Sequence, residues 1–182
     1  SNFDLEFVLV SIMDIESQPN VHSSQPSKVV QRARLLNASP AIVVDRLKAS
    51  HWRFENVVIP KIEQSFVGLM KIFPDNPSLA VLFKVFIKFE LALRFHISIE
   101  EDIIFKEYLS QNSKENASDS ISHEDEEPFL SEIIYLLKKE KCSVNPFCRI
   151  LIQQLEKFEL ELEEHAWIEE NIIYKKIREQ RK

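Results

Sequence analysis

Among the residues that can bind a metal or form an ion pair, a His-x-x-x-Glu spacing occurs in two matching copies. They pair His96 with Glu100 and His165 with Glu169. Residues four apart on a helix share one face, so each pair presents an imidazole and a carboxylate in the same direction. A single pair of this kind is usually an ion pair on a solvated helix surface. The other interpretation is a metal site, because imidazole nitrogen and carboxylate oxygen are both ligands of iron and manganese.

The two pairs belong to an internal repeat. Segments 88–106 and 157–175 both read K-F-E-L-x-L-x-x-H-x-x-I-E-E-x-I-I-aromatic-K, without a gap. The offset between the copies is one helix, one loop and another helix. Two related helical hairpins packed together predict an all-α fold, an antiparallel four-helix bundle with approximate two-fold symmetry.

Apolar neighbours predict that both pairs lie in the core. Steps of three and four residues define one stripe per copy: Phe89, Leu93, His96, Glu100 and Ile103, and then Phe158, Leu162, His165, Glu169 and Ile172. The apolar members must face the bundle interior, so the His and Glu between them are expected there too. A buried carboxylate must be paired, protonated or bound to a metal.

The other two bundle helices carry one inward histidine each. His51 lies on a stripe with Leu47 and Phe54, and His123 precedes a stripe of Leu130, Ile133 and Leu137. The fifth histidine, His22, falls in an N-terminal loop. Inward side chains from four adjacent helices can converge on one centre. Four imidazoles and two carboxylates suit two iron or manganese ions bridged by the carboxylates, whereas a thiolate zinc site lacks its cysteine ligands.

Other polar and aromatic residues have simpler interpretations. Surface ion pairs are expected for Glu55 and Glu127, surface charges for Glu101 and Glu170, and packing or interface roles for Trp52, Trp167 and Phe95. Cys142 and Cys148 belong to no CxxC pair. They are expected to be reduced thiols, with a labile disulfide as the alternative.

Capping residues predict where the helices begin. Ser39-Pro40, Asn76-Pro77 and Asn145-Pro146 each place a cap before a proline at the first helical position. The predicted helices cover about residues 39–73 with a kink at Pro60, 76–109, 123–141 and 145–182. Residues 1–38 form a short N-terminal extension, with a strand or short helix near 7–12, and residues 39–182 form the bundle.

Composition excludes several classes of protein. The chain of 182 residues has a single glycine, which argues against sandwiches, Rossmann folds and phosphate loops. A net charge of -6 argues against a nucleic-acid partner. No apolar run is long enough for a membrane span, and no secretory signal is recognised, so a cytoplasmic protein is expected.

Over residues 39–177 the sequence resembles the hemerythrin-like, HHE cation-binding family. The resemblance is carried by His96-x-x-x-Glu-Glu-x-Ile-Ile-Phe, His165-x-x-x-Glu-Glu-Asn-Ile-Ile-Tyr, His51 ahead of Ile59-Pro60, and Ser122-His123-Glu124-Asp125. Within the family it is most similar to di-iron proteins that repair iron–sulfur clusters after nitrosative or oxidative stress. The resemblance implies terminal metal ligands at His51, His96, His123 and His165, and bridging ligands at Glu100 and Glu169.

The implied cofactor is a pair of iron ions, with manganese as a substitute. Dioxygen, nitric oxide or peroxide would be the small ligands, and iron–sulfur proteins the protein partners. Two alternatives stay open at this point. One is a module that senses or stores oxygen, nitric oxide or iron without turnover, and the other is a metal-free helical interaction domain.

Overall fold

A computed structural model describes residues 28–110 and 127–180 of the chain. Within these two ranges every regular element is a helix and no strand occurs, which confirms the all-α fold class. The chain divides into two units, Ser1–Gln31 and Arg32–Lys182. The described side chains able to bind a metal all belong to the second unit.

Eight α-helices follow one another in the described residues. They are α1 (Lys28–Leu36), α2 (Pro40–Arg53), α3 (Ile59–Ile72), α4 (Pro77–Ile99), α5 (Phe105–Leu109), α6 (Glu127–Lys139), α7 (Pro146–Ile168) and α8 (Lys175–Gln180). Three π-helical segments continue the chain between helices: Phe54–Val58 joins α2 to α3, Glu100–Ile104 joins α4 to α5, and Glu169–Tyr174 joins α7 to α8. A 3-10 turn, Lys141–Val144, precedes α7.

The predicted helix starts are confirmed at three positions. Ser39 is the N-cap of α2. The side-chain oxygen of Asn76 accepts a hydrogen bond of 3.1 Å from the backbone N–H of Ser78 at the start of α4. Asn145 does the same for Phe147 at 2.9 Å at the start of α7. Each bond pairs a backbone donor that has no partner inside the helix.

The second π-helical segment shifts the phase of the buried stripe. Ile103, which the sequence predicts to face the core, is 49% exposed, whereas Ile104 is 6% exposed. The prediction for Ile103 is wrong because a π-turn contains more residues than the 3.6 of an α-turn. After the first π-helical segment, Ile59 is fully buried, whereas the preceding Val58 is half-buried.

Apolar side chains form two cores within the second unit. The larger core joins α3, α4, α6 and α7 and includes Phe66 and Phe158. Leu130, Ile133 and Leu137 of α6 lie in it, as the sequence predicts. The smaller core joins α2, α5, α8 and the second and third π-helical segments, and includes Leu47 and Phe105.

The buried histidines fall where the two cores meet. His51 follows Leu47 of the smaller core and precedes Phe54 of the larger one. On α7, His165 lies between Phe158 of the larger core and the third π-helical segment, whose isoleucines belong to the smaller core. A polar layer therefore separates two apolar ones.

Some predictions concern residues outside the described ranges. These are the strand or helix near residues 7–12, the loop that holds His22, and the start of the third bundle helix with His123. In the described part of the chain, no helix combines the length and the apolar character needed to cross a membrane.

Candidate metal centre

Five buried polar side chains lie between the two cores. His51, His96 and His165 stand in the last turns of α2, α4 and α7. Glu100 and Glu169 are the first residues of the second and third π-helical segments. None of the five is more than 7% exposed. Each imidazole thus precedes a change from α to π geometry, a feature frequent at functional sites.

The carboxylate of Glu100 is the meeting point of three imidazoles. Its Oε1 lies 3.2 Å from Nε2 of His96, and its Oε2 lies 3.3 Å from Nε2 of His51. Nε2 of His165 is 3.9 Å from Oε2 of the same group. Side chains from α2, α4 and α7 therefore converge on one carboxylate at the start of the second π-helical segment.

Four of these residues lie close enough to share one ion. The ligand atoms of His51, Glu100, His165 and Glu169 all lie within 4.8 Å of one another. Nε2 of His165 is 3.0 Å from Nε2 of His51 and 2.5 Å from Oε1 of Glu169. Two ligand atoms each about 2.1 Å from one ion, at a right angle, are about 3.0 Å apart. This buried group fits a metal and could hold an ion.

The pKa values of the two buried carboxyl groups, Glu100 and Glu169, are shifted in opposite directions. Burial acts to raise the pKa of Glu100, but hydrogen bonds from His165, His51 and His96 outweigh it and hold that pKa below its usual range. Burial raises the pKa of Glu169 well above its usual value, and the neighbouring charge of Glu100 raises it further. A cation between the two would favour the ionised form of both.

Glu101 contacts His51 at Nδ1, the ring nitrogen that does not face Glu100. Its Oε1 lies 2.8 Å from Nδ1 of His51, and its side chain is 36% exposed. A carboxylate at this nitrogen accepts the Nδ1–H, so Nε2, which donates to Glu100 in the metal-free protein, is the nitrogen that would bind a metal. The expectation that Glu101 is only a surface charge is therefore wrong. The helical period does not predict the contact of Glu101 with His51. The two consecutive glutamates in each copy of the repeat are the sequence feature that points to it.

The aromatic residue of each repeat also contacts the centre, in different ways. Phe105 stacks on His51, with ring centres 5.6 Å apart and ring planes 8° from parallel. Tyr174, at the matching position, donates its hydroxyl to Oε1 of Glu100 across 3.4 Å. Burial raises the pKa of Tyr174, and the charges of Glu100 and Glu169 raise it further. The phenol is therefore a proton-holding donor to the central carboxylate.

A cavity of about 110 Å³ reaches the centre between α4, α6 and α7. Its lining combines apolar walls, polar outer residues and the buried ligands: Phe89, Leu93, Leu130, Leu162 and Ala166, then Ser131, Glu159 and Glu163, then His96, His165 and Glu169. The volume is enough for several water molecules or a small ligand. His96 contacts Glu100 and this cavity, but it is not one of the four mutually close ligand residues.

The remaining predicted residues fall outside the centre or outside the described ranges. Glu55 pairs with Arg94 at 3.1 Å, and Glu170 lies 3.7 Å from Arg178, as surface ion pairs. Trp52 and Phe95 are exposed, whereas the Trp167 ring packs under the guanidinium of Arg32 at 4.4 Å. His123 lies outside the described residues, and so does the side chain of Glu127.

Comparison of the chain with known protein families, with curated proteins and with solved structures finds no match in any of the three.

Proposed function

We propose that this chain is a hemerythrin-like protein whose buried histidines and glutamates hold a non-haem di-iron centre. The observation that carries the proposal is the group of four buried residues, His51, Glu100, His165 and Glu169, with ligand atoms within 4.8 Å of one another. Nitrogen and oxygen donors without any thiolate suit iron or manganese.

The helices are proposed to form an antiparallel four-helix bundle. Short connections join α3 to α4 at residues 73–76 and α6 to α7 at residues 140–145, and short connections favour antiparallel neighbours. Packing of α3 against α7 and of α4 against α6 supports the same arrangement. So does the sequence repeat, which relates α4 to α7.

Glu100 is proposed to bridge two ions. Its two oxygens face different histidines, with His96 on Oε1 and His51 on Oε2. A bridging carboxylate needs this division, because each oxygen must serve a separate metal. His96 would then bind one ion and His51 the other. Glu169 is the proposed second bridge, and His123 the expected fourth histidine ligand.

When bound, non-haem iron with open coordination positions supplies affinity for dioxygen, nitric oxide or peroxide. Side chains of the protein would line the space that such a small ligand occupies. The cavity beside His96 and His165 provides a path and space, and its apolar walls limit water. Glu101 holds the proton on Nδ1 of His51, and Tyr174 donates to Glu100. The proposed cellular role, from the family resemblance, is in nitrosative or oxidative stress, including iron–sulfur cluster repair.

The iron-to-protein ratio of matched variants tests the proposal. Glu100→Gln, Glu169→Gln and Glu170→Gln are each reconstituted with ferrous iron without oxygen and then desalted. Glu170 is the control, because it adjoins Glu169 in sequence but lies on the surface. Wild type and Glu170→Gln are expected to retain two irons per chain, and the other two variants almost none. Two irons in both Glu100→Gln and Glu169→Gln would show that the bridging assignment is wrong.

A further inference from the structure

The connection between α6 and α7 brings two thiols together. Sγ of Cys142, in the 3-10 turn, lies 3.1 Å from Sγ of Cys148, in the first turn of α7. Both side chains are buried, at 2% and 0% exposure. A disulfide bond is about 2.05 Å long, so an approach of about 1 Å would join the sulfurs.

We propose that Cys142 and Cys148 form an intramolecular disulfide when the protein meets a small-molecule disulfide such as oxidised glutathione. The bond would tie the 3-10 turn to the start of α7. This site is separate from the metal centre. Cys148 and His165 lie at opposite ends of α7, about 26 Å apart at about 1.5 Å per residue.

The reaction is two successive thiol–disulfide exchanges. The thiolate of one cysteine attacks oxidised glutathione, which forms a mixed disulfide and releases one glutathione thiolate. The thiolate of the other cysteine then attacks the protein sulfur of the mixed disulfide and expels the second glutathione. The protein loses two electrons and two protons, and one glutathione disulfide becomes two thiols.

Burial makes this exchange slow and dependent on local opening. Burial, together with the thiol of Cys142 and the charge of Glu140, raises the pKa of Cys148 to about 12. Because the thiolate is the reactive form, attack requires residues 141–145 to open and admit solvent. Val144 in this connection is already 81% exposed. Once the disulfide has formed and residues 141–145 have closed again, burial would shield the disulfide from reductants.

Peptide mass spectrometry of the full-length protein provides the test. Native protein is incubated with oxidised glutathione, quenched in acid, treated with iodoacetamide and digested with trypsin. Cleavage after Lys141 and Arg149 places both cysteines in the single peptide 142–149. The expected product is this peptide, unalkylated and lighter by two hydrogen atoms. Hydrogen exchange of acid-protease peptides that cover residues 142–149, followed in parallel, shows when the connection has opened.

The variants Cys142→Ser and Cys148→Ser are the matched controls. Each keeps one thiol and is expected to stop at the mixed disulfide with glutathione. Once amide exchange of residues 142–149 is complete, a wild-type peptide still carrying two alkyl groups would overturn the proposal. A peptide carrying glutathione without an internal bond, or disulfide-linked dimers, would overturn it too. The result for the wild-type protein decides whether the disulfide forms, even if a serine variant fails to fold.

Discussion

At the scale of single residues, Glu101 is a carboxylate outside the proposed ligand set that contacts one of the proposed ligands. Glu101 accepts from Nδ1 of His51 at 2.8 Å, while Nε2 of the same ring faces Glu100. The corresponding nitrogen of His165 has no hydrogen-bond partner among the described residues. The two rings therefore differ at Nδ1: His51 has a hydrogen bond there and stacks on Phe105, whereas the His165 ring packs edge-on against Phe54.

Replacing Glu101 should weaken metal binding without removing a ligand. Glu101→Ala takes away the acceptor that fixes the His51 tautomer, and loss of such a partner lowers affinity by about 10- to 100-fold. Glu170→Ala, at the matching position of the repeat, is the control and should bind as wild type. Competition titration with a chelator measures both. Equal affinities in the two variants would contradict a role for Glu101.

Replacing Tyr174 should change the centre but not the fold. Tyr174→Phe reproduces the Phe105 of the other repeat and removes one donor to Glu100, so the free energy of unfolding should fall by about 1 kcal/mol. The visible absorption of the iron-loaded protein should shift, since a donor to a proposed bridging ligand is lost. Tyr108→Phe is the control, because Tyr108 is also a buried phenol. Identical spectra in both variants would argue against the contact.

At the scale of elements, the π-helical segment Glu100–Ile104 allows two consecutive glutamates to face the centre. Neighbouring side chains on an α-helix point about 100° apart. A π-turn has more residues per turn and therefore a smaller angle between neighbours. Glu100 can thus face the imidazoles while Glu101 reaches His51 from the adjacent direction.

A matched pair of isoleucines tests the shift in phase. Ile104→Ala should lower the free energy of unfolding by about 2–4 kcal/mol, because it leaves a cavity in the smaller core. Ile103→Ala should change it by about 0.5 kcal/mol or less, because that side chain is 49% exposed. Urea denaturation of both variants measures the difference. A larger loss for Ile103→Ala would mean that the α-helical period continues through Glu100–Ile104.

Sequence patterns predict helix starts better than they predict helical phase. The caps Asn76 and Asn145 are local signals, since each bonds a backbone N–H two residues away. Five of the six predicted ligands lie in the described residues, and all five are buried in one layer. The π-turns could not be foreseen, because no residue type marks them, and errors in phase follow directly at Ile103 and Glu101.

At the scale of the whole molecule, a layer of buried histidines and glutamates lies between two apolar cores, and we expect this arrangement to link metal binding to protons. Glu169 has a raised pKa because it is buried beside Glu100. Any proton that Glu169 holds must leave before its carboxylate binds a cation. The affinity for a divalent metal should therefore rise as the pH increases towards the pKa of Glu169, and fall as the pH decreases.

Titration with manganese, which avoids oxidation, measures this dependence. If one proton leaves per metal site, the affinity should rise by up to about tenfold per pH unit below the raised pKa of Glu169. Calorimetry in buffers of different ionisation enthalpy counts the released protons. An affinity that does not vary with pH would show that Glu169 is already ionised or is not a ligand.

The most direct test of the central claim is an anomalous-difference map. Crystals of the protein reconstituted with ferrous iron would be measured at the iron absorption edge. Two peaks are expected in the layer between the cores. Both should contact Glu100, one with His96 and the other with His51, at about 2.0–2.2 Å. A map without peaks in this layer, or with peaks only on the surface, would contradict the assignment of a di-iron centre.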